Sequence, residues 1–243
     1  MHIQRLQWAG TLIRTKNVTL AIDPMYGSYS SFFGQPKEPF YPLTEFGSVD
    51  VVAVTHMHSD HFDPEAIKEA WGDEVQVFVP YEGVSRAEAA GLKKVKGMAF
   101  GEVAQIEDMK ITAVYSADGL GDPQVAWLIE AEGKRLIHCG DTLWHGQWWN
   151  IAREYGNVDV AFLPVNGAVI EASNGQPICM SPEQGVAAAS ILGVSALVPI
   201  HYGSFHHPPT YMQTPDVLSR LHTSASQIEV TVRVLQHKEG FSL

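Results

Sequence analysis

The segment Thr55-His56-Met57-His58-Ser59-Asp60-His61 gathers three imidazoles and a carboxylate within a few residues. Nitrogen and oxygen donors of this kind are what zinc, manganese and ferrous iron accept. On an extended segment, histidines two apart point the same way and can share one ion, and the Asp60-His61 pair that follows can turn toward a second. One histidine at a strand end is more often merely solvated. Three with an aspartate in the pattern H-x-H-x-D-H point to a metal.

Such a cluster needs a rigid support, and the chain supplies one. The apolar run VDVVAVT (Val49 to Thr55) reads as a strand buried on both faces. After it, Asp63-Pro64-Glu65 carries the marks of a helix start: an N-cap, a proline in the first turn and an acid beside it. Ser181-Pro182-Glu183-Gln184 repeats the device with a capping box and predicts a helix to about Leu192, and Thr214-Pro215-Asp216 predicts one to about His222. Strands are expected at HIQRLQW, TLIRT, VTLAID, VQVFVP, EVAQIE, MKITAVYS, VDVAFLP, ALVPIH and IEVTVRVLQ, with a hairpin VAWLIEAEGKRLIHCGD turning at Glu132-Gly133. Between Asp23 and Val49 lies a long loop rich in Gly, Pro, Ser and aromatics. Its Tyr26, Tyr29, Phe32, Phe33, Phe40 and Tyr41 are expected to pack onto the body, with a substrate pocket as their second use. The order of elements fits two packed sheets with helices outside better than one alternating sheet. No composition shift marks a second domain, so residues 1–243 read as one.

The net charge of -11, from 16 Lys and Arg against 27 Asp and Glu, disfavours nucleic acid, since a phosphate backbone is gripped by displacing its counterions with cations. No run approaches the ~20 apolar residues of a membrane span, and the start lacks a signal-peptide pattern, so a cytoplasmic location with no membrane partner is expected. Cys139 and Cys179 are too few for a disulfide framework and read as buried thiols.

The histidine cluster resembles the metal-binding motif of the metallo-β-lactamase superfamily. Downstream, LIHCGDT places Asp141 where that family has a metal-bridging aspartate, and ALVPIHYGSF places His201 where it has a last histidine. LPVNG and the MSPEQ helix start resemble the branch of L-ascorbate-6-phosphate lactonase and small metal-dependent hydrolases. The resemblance runs from the first strands to about Phe205. It implies a four-layered αββα sandwich, two packed mixed β-sheets with outer helices, the metals lying at one edge between the sheets. It also implies His56, His58, Asp60, His61, Asp141 and His201 as ligands of one or two divalent ions, zinc first, with manganese or iron as alternatives. By the same resemblance Asp60 holds the attacking hydroxide, and the chain is a metal-dependent hydrolase using a metal-bound hydroxide on a small ester, lactone, amide or phosphoester.

The chain departs from the family at one ligand. The stretch Ala113 to Gly119 lacks the histidine expected there, and Asp118 is the nearest substitute, ahead of Tyr115 and Ser116. His138, inside the strand LIHCGD, reads as a core residue or a support behind the ligands, not as a ligand. The gap keeps open a non-catalytic metal- or ligand-binding protein of the same fold; a nuclease of the superfamily ranks lower, because the only basic cluster is Lys93-Lys94-Val95-Lys96. For substrate contacts, Asn166 in LPVNG, His145 past Asp141 and His206 in SFHHPP are the candidates, and Trp144, Trp148 and Trp149 are candidate pocket walls. The arginine that the lactonase-like branch carries after LPVNG is absent, since Ala168-Val169 stand there. A small-molecule substrate is expected, and the resemblance also allows a homo-oligomer.

Overall fold

The computed structural model describes residues 1–27, 29 and 31–243. Ser28 and Ser30, part of the long loop read after Asp23, lie outside the described residues. The first sheet contains β1 (His2–Arg5), β2 (Thr11–Arg14), β3 (Thr19–Ile22), β4 (Val51–Ala53), β5 (Gln76–Pro80) and β6 (Lys94–Met98). The second contains β7 (Val103–Ile106), β8 (Met109–Tyr115), β9 (Val125–Ala131), β10 (Lys134–His138), β11 (Val160–Pro164) and, beyond a short ribbon strand β12 (Val169–Ile170), β13 (Ala196–Ile200). After β14 (Tyr211–Met212), which pairs with β12, the last strand β15 (Gly240–Ser242) returns to the first sheet. The strand orders are β15-β1-β2-β3-β4-β5-β6 and β13-β11-β10-β9-β8-β7, each mixing parallel and antiparallel pairs.

Alternation along the strands builds the layers. In β9, Val125, Trp127 and Ile129 enter the core between the sheets, where they share a cluster with Ile13, Leu20, Val51 and Phe78 of the first sheet. Ala126 and Leu128 face the other way, toward α3 (Trp148–Tyr155), α4 (Pro182–Ile191) and α5 (Val217–Gln227). The outer face of the first sheet is covered by α1 (Pro64–Trp71), α2 (Val84–Ala89) and a 3-10 turn at Leu43–Phe46. The result is the expected four-layered αββα sandwich.

Local signals worked where their chemistry is short-range. Asp63 caps α1 by accepting from Ala66 N at 3.1 Å, and Ser181 and Gln184 form the reciprocal capping box of α4. The β9–β10 hairpin turns through Glu132 and Gly133, whose φ of 52° and 73° match a two-residue primed turn. Three readings need correction. β4 is shorter than Val49 to Thr55, because the chain leaves the sheet after Ala53 to carry the histidines forward. The third helix does not start at Pro215 and end at His222. Thr214 is tied instead to the Asn166 carbonyl (2.8 Å) and Arg220 (2.8 Å), Asp216 adopts a left-handed φ of 52°, and α5 follows over Val217–Gln227. IEVTVRVLQ is no regular strand: it lies along β13 through one bridge, Leu197 to Val232, is mostly exposed or half-buried, and buries only Leu235 in the core. β6, α2 and α3 carry no strong sequence mark. Among the described residues no helix is long and apolar enough to cross a membrane.

Candidate metal centre

The ligand candidates come from both sheets. The segment after β4 brings His56, His58, Asp60 and His61; the loops after β8, β10 and β13 bring Asp118, Asp141 and His201. They meet at one edge of the sandwich as two groups, His56, His58, Asp118 and Asp141 in the first, Asp60, His61 and His201 in the second, the ligand atoms within each lying within 4.8 Å of one another. His56 Nε2 lies 2.9 Å from His58 Nδ1 and 3.5 Å from Asp141 Oδ1, and His58 Nδ1 is 3.8 Å from Asp118 Oδ2. In the second group Asp60 Oδ2 is 3.5 Å from His61 Nε2 and 3.4 Å from His201 Nε2. The other Asp141 oxygen lies 3.8 Å from His201 Nε2, so Asp141 stands between the groups.

Each histidine of the motif has its far nitrogen occupied. The Thr55 hydroxyl donates to Asp23 Oδ2 (2.7 Å), so at 3.1 Å it accepts from His56 Nδ1. His61 Nδ1 donates to Asp23 Oδ2 at 2.8 Å, and His58 Nε2 to Asp122 Oδ2 at 2.8 Å. With a proton on each far nitrogen, the other ring nitrogen faces the cluster and can lend its lone pair to an ion once its own proton is displaced, the arrangement that outer carboxylates impose on metal-binding imidazoles. Asp118 is fixed likewise: Oδ1 accepts from Leu120 N (2.7 Å) and Asp122 N (3.1 Å), leaving Oδ2 facing inward. The adjoining Gly119 is required, because a Cβ there would lie 2.0 Å from the Ile178 carbonyl oxygen.

The donors fit cations. His61 Nε2, His201 Nε2, Asp118 Oδ2 and Asp141 Oδ1 are all buried without a hydrogen-bond partner, an expensive condition that a divalent ion in each group would relieve. Burial, with Asp118 and Asp60 nearby, pushes the Asp141 carboxyl up to about 7. Burial opposes charge on His61, but the Asp60 and Asp23 carboxylates outweigh it and hold that imidazole up at about 10. Asp60 is likewise penalised by burial, yet His61 and His201 keep it ionised well below the usual carboxylate range. Burial pushes His201 down to about 4, so it presents a neutral nitrogen. The protons held at Asp141 and His61 are the ones a cation would displace.

Sequence reasoning missed two supports, Asp23 and Trp8. Asp23 follows β3 directly, accepts from Thr55 N and Oγ1 at 2.7 Å each and orients His61; the Trp8 indole donates to Asp60 Oδ2 at 2.9 Å and packs 4.2 Å from the His201 ring. Both have left-handed φ, 47° and 54°, as does His201 at 57°. Non-glycine residues at such angles cost on the order of 1–3 kcal/mol each and persist where surroundings over-determine them. The only available signal was an Asp at a strand end, which is too common to read. Asp23→Asn keeps the size of the side chain but weakens the anchor of His61, and is expected to lower metal affinity by roughly tenfold. Competition against a chromogenic chelator measures this, and unchanged affinity would remove Asp23 from the centre.

The tentative substrate contacts are not brought to the cluster. Asn166 is fully buried behind it, its amide donating to Tyr211 Oη (2.8 Å) and its carbonyl accepting from Cys179 Sγ (2.6 Å) and Ala168 N (3.3 Å). His145 stacks on Trp148 at 4.0 Å, and burial pushes it down to about 4. His206 Nδ1 accepts from Gln213 N at 3.1 Å. Trp148 is buried in the helix layer, while Trp144 and Trp149 pack edge to face on the surface, 36% and 54% exposed. Tyr115 packs edge-on against His145, and Ser116 Oγ bonds the Cys139 carbonyl, so neither replaces the missing histidine. His138 is a core residue bonded to the Ala9 carbonyl at 2.8 Å. Of the long loop, Phe32 and Phe33 do wall the cavity over the cluster, facing Tyr211, Leu120 and Ile178; Tyr29 and Phe40 pack on the core.

Two sheets with outer helices and ligands gathered at their common edge define a metallo-β-lactamase fold, and residues 19–202 match the family model described as a beta-lactamase superfamily domain. A structure described as a possible metal-dependent hydrolase from Veillonella parvula superposes with a TM-score of 0.84 at 17% identity, covering 100% of this chain and 99% of that one. A novel metallo hydrolase from Ignicoccus hospitalis superposes with a TM-score of 0.76 at 21% identity and 100% coverage of both chains. A UPF0173 metal-dependent hydrolase from Rubrobacter xylanophilus is 30% identical over 209 residues, 81% of this chain and 80% of the relative. The chain belongs to the UPF0173 metal-dependent hydrolase family of the metallo-β-lactamase superfamily.

Proposed function

We propose that the chain hydrolyses a small ester, lactone, amide or phosphoester, using two divalent ions held by the two ligand groups, with Asp141 shared between them. The observation that carries this reading is the convergence of buried, unpartnered donor atoms from both sheets. Imidazole-rich donors suit zinc first, and the aspartates make manganese and iron acceptable to the same site. A bound ion of this kind lowers the pKa of water from about 15.7 to about 7 and polarises a carbonyl or phosphoryl group.

The chain's own residues do the rest. Asp60, kept ionised and fixed by the Trp8 indole, would accept a hydrogen bond from the attacking water and hold it in position. Phe32, Phe33 and Tyr211 cover the site and limit the entry of bulk water. Asp118, at the place of the absent histidine, completes the first group with a carboxylate. That weakens the case for a non-catalytic binder, which rested on the gap. A nuclease is disfavoured because Lys93 pairs with Asp73 (2.9 Å) and Lys94 with Glu74 (3.6 Å) at and beside the far edge strand β6. A small molecule is therefore the proposed partner. A cytoplasmic location agrees with two buried, unbridged cysteines.

The test joins metal content to turnover. Protein purified without chelator is expected to carry two ions by plasma mass spectrometry and Asp118→Ala one, while Asp118→His regains the second. Wild type should hydrolyse members of a panel of esters and phosphodiesters, lose that activity on chelation and recover it with zinc or manganese. Tight metal retention with no turnover across the panel would instead favour a binding protein.

A further inference from the structure

The cavity directly over the ligand groups is small, about 40 Å³. A single water needs about 10–15 Å³ of such space, so this chamber holds a few waters and the reacting group of a substrate but not its body. His58 forms part of its wall and also borders a second, open cleft of about 190 Å³. That cleft runs between the β5–α2 connection and the loop before β9, with Met57, Gly83 and Pro123 as apolar surface and Arg86, Glu82 and Asp122 as charged groups. Gly83 packs closely on its floor, where a Cβ would lie 2.8 Å from Met57 Sδ and displace that side chain.

Arg86 is unusual in this molecule. Cations are scarce in a chain of net charge -11, and every other arginine is engaged. Arg5 bonds the Leu235 carbonyl, Arg14 the Phe46 carbonyl, Arg135 and Arg220 pair with Glu130 and Glu183, Arg153 bonds Asn150 and Arg233 lies over Phe241. Arg86 is exposed, and among the described residues no carboxylate, carbonyl or ring engages its guanidinium. Among the described residues neither Asp122, which is bonded to His58 Nε2 at 2.8 Å, nor Glu82 one turn earlier forms an ion pair with it. A guanidinium presents a planar fork that matches a carboxylate with two parallel hydrogen bonds. Two aspartate and glutamate side chains share the cleft, which favours a singly charged guest over a more highly charged one.

On the hydrolase reading above, we propose that this cleft receives the body of the substrate, and that Arg86 binds a carboxylate the substrate carries away from its scissile bond. The small chamber takes the reacting group, and the distance from it to Arg86 sets the length preferred.

Calorimetric titration of the metal-containing protein with the linear dicarboxylates from succinate to pimelate, and with monocarboxylates of matching length, tests this without turnover. At least one dicarboxylate is expected to bind about tenfold more tightly than its monocarboxylate, the worth of a hydrogen bond to a charged group. Arg86→Gln should erase that advantage and leave monocarboxylate affinity unchanged, while Lys93→Gln, removing a cation remote from the cleft, should preserve it. No dicarboxylate advantage in wild type, or one that survives Arg86→Gln, would overturn the inference. The two readings fail separately: a dicarboxylate preference without hydrolysis of any panel member removes the enzymatic reading alone, and hydrolysis without the preference removes the role of Arg86 alone.

Discussion

Asp141→Ala is expected to carry less than one ion per chain where the wild type is expected to carry two, and to lose at least about a hundredfold in turnover. The magnitude follows from a floor, since altering even the outer partners of metal ligands costs about 10- to 100-fold. Asp141 is the residue in reach of both groups, 3.5 Å from His56 and 3.8 Å from His201 through its two oxygens. Asp118→Ala should cost one ion, and Asp141→Ala both. The variant should nevertheless fold. In the metal-free state the Asp141 carboxyl is buried and beset by Asp60 and Asp118, which is why it is pushed up to about 7, so removing it relieves a cost. A metal-free Asp141→Ala protein melting at or above the metal-free wild type would separate loss of metal from loss of structure. Two ions retained in this variant would refute the shared role.

Chelation of the wild type should lower its melting temperature by roughly 8–16 °C for each ion removed. An ion present at about a thousand times its dissociation constant stabilises by about 4 kcal/mol, and each kcal/mol moves a domain of this size by about 2–4 °C. The gap between loaded and stripped protein should widen as pH rises from 5 to 8. Asp141 titrates near 7 in the stripped fold against about 3.9 unfolded, so its ionisation destabilises that fold progressively between those values, and the full penalty remains above them. His61 acts in the same direction. Held at about 10 against an ordinary 6.5, it contributes stability that is complete below 6.5 and fades as pH climbs toward 10. His201, depressed to about 4, destabilises at low pH, but it is neutral with or without an ion and so cancels from the difference. Differential scanning calorimetry across that range reads the trend; a gap independent of pH, or none, would argue that these protons are not the ones displaced.

What the sequence disclosed follows the range of the interactions. H-x-H-x-D-H, the Asp63 and Ser181 caps and the Glu132-Gly133 turn are local, and all took the form expected of them. The sandwich came through family resemblance, because no composition or periodicity specifies which sheet faces which. Asp118 is legible because it stands where the family resemblance leaves a histidine missing. Asp23 and Trp8 were not found, since each acts on a residue more than thirty positions away. Asn166, His145 and His206 were placed by proximity along the chain, which says nothing of side-chain direction; Asn166 turns into a buried network with Tyr211 and Cys179. α5 was shifted because Thr214 had a better partner in the Asn166 loop than in its own helix.

The ligands reach the centre from two separate sheets, and the thickness of the layer between those sheets is set by side chains that touch no metal. Trp127, Ile129 and Phe162 on one side meet Ile13, Val51 and Phe78 on the other. Interiors packed at crystal density pass displacement on instead of absorbing it. The middle layer therefore acts as a gauge block that fixes how far the His56–His61 segment stands from Asp118, Asp141 and His201. Drift in the size of those apolar residues over evolutionary time is constrained twice, once by the fold and once by ligand spacing, so a methylene lost in the interior would surface as a looser grip on the ion.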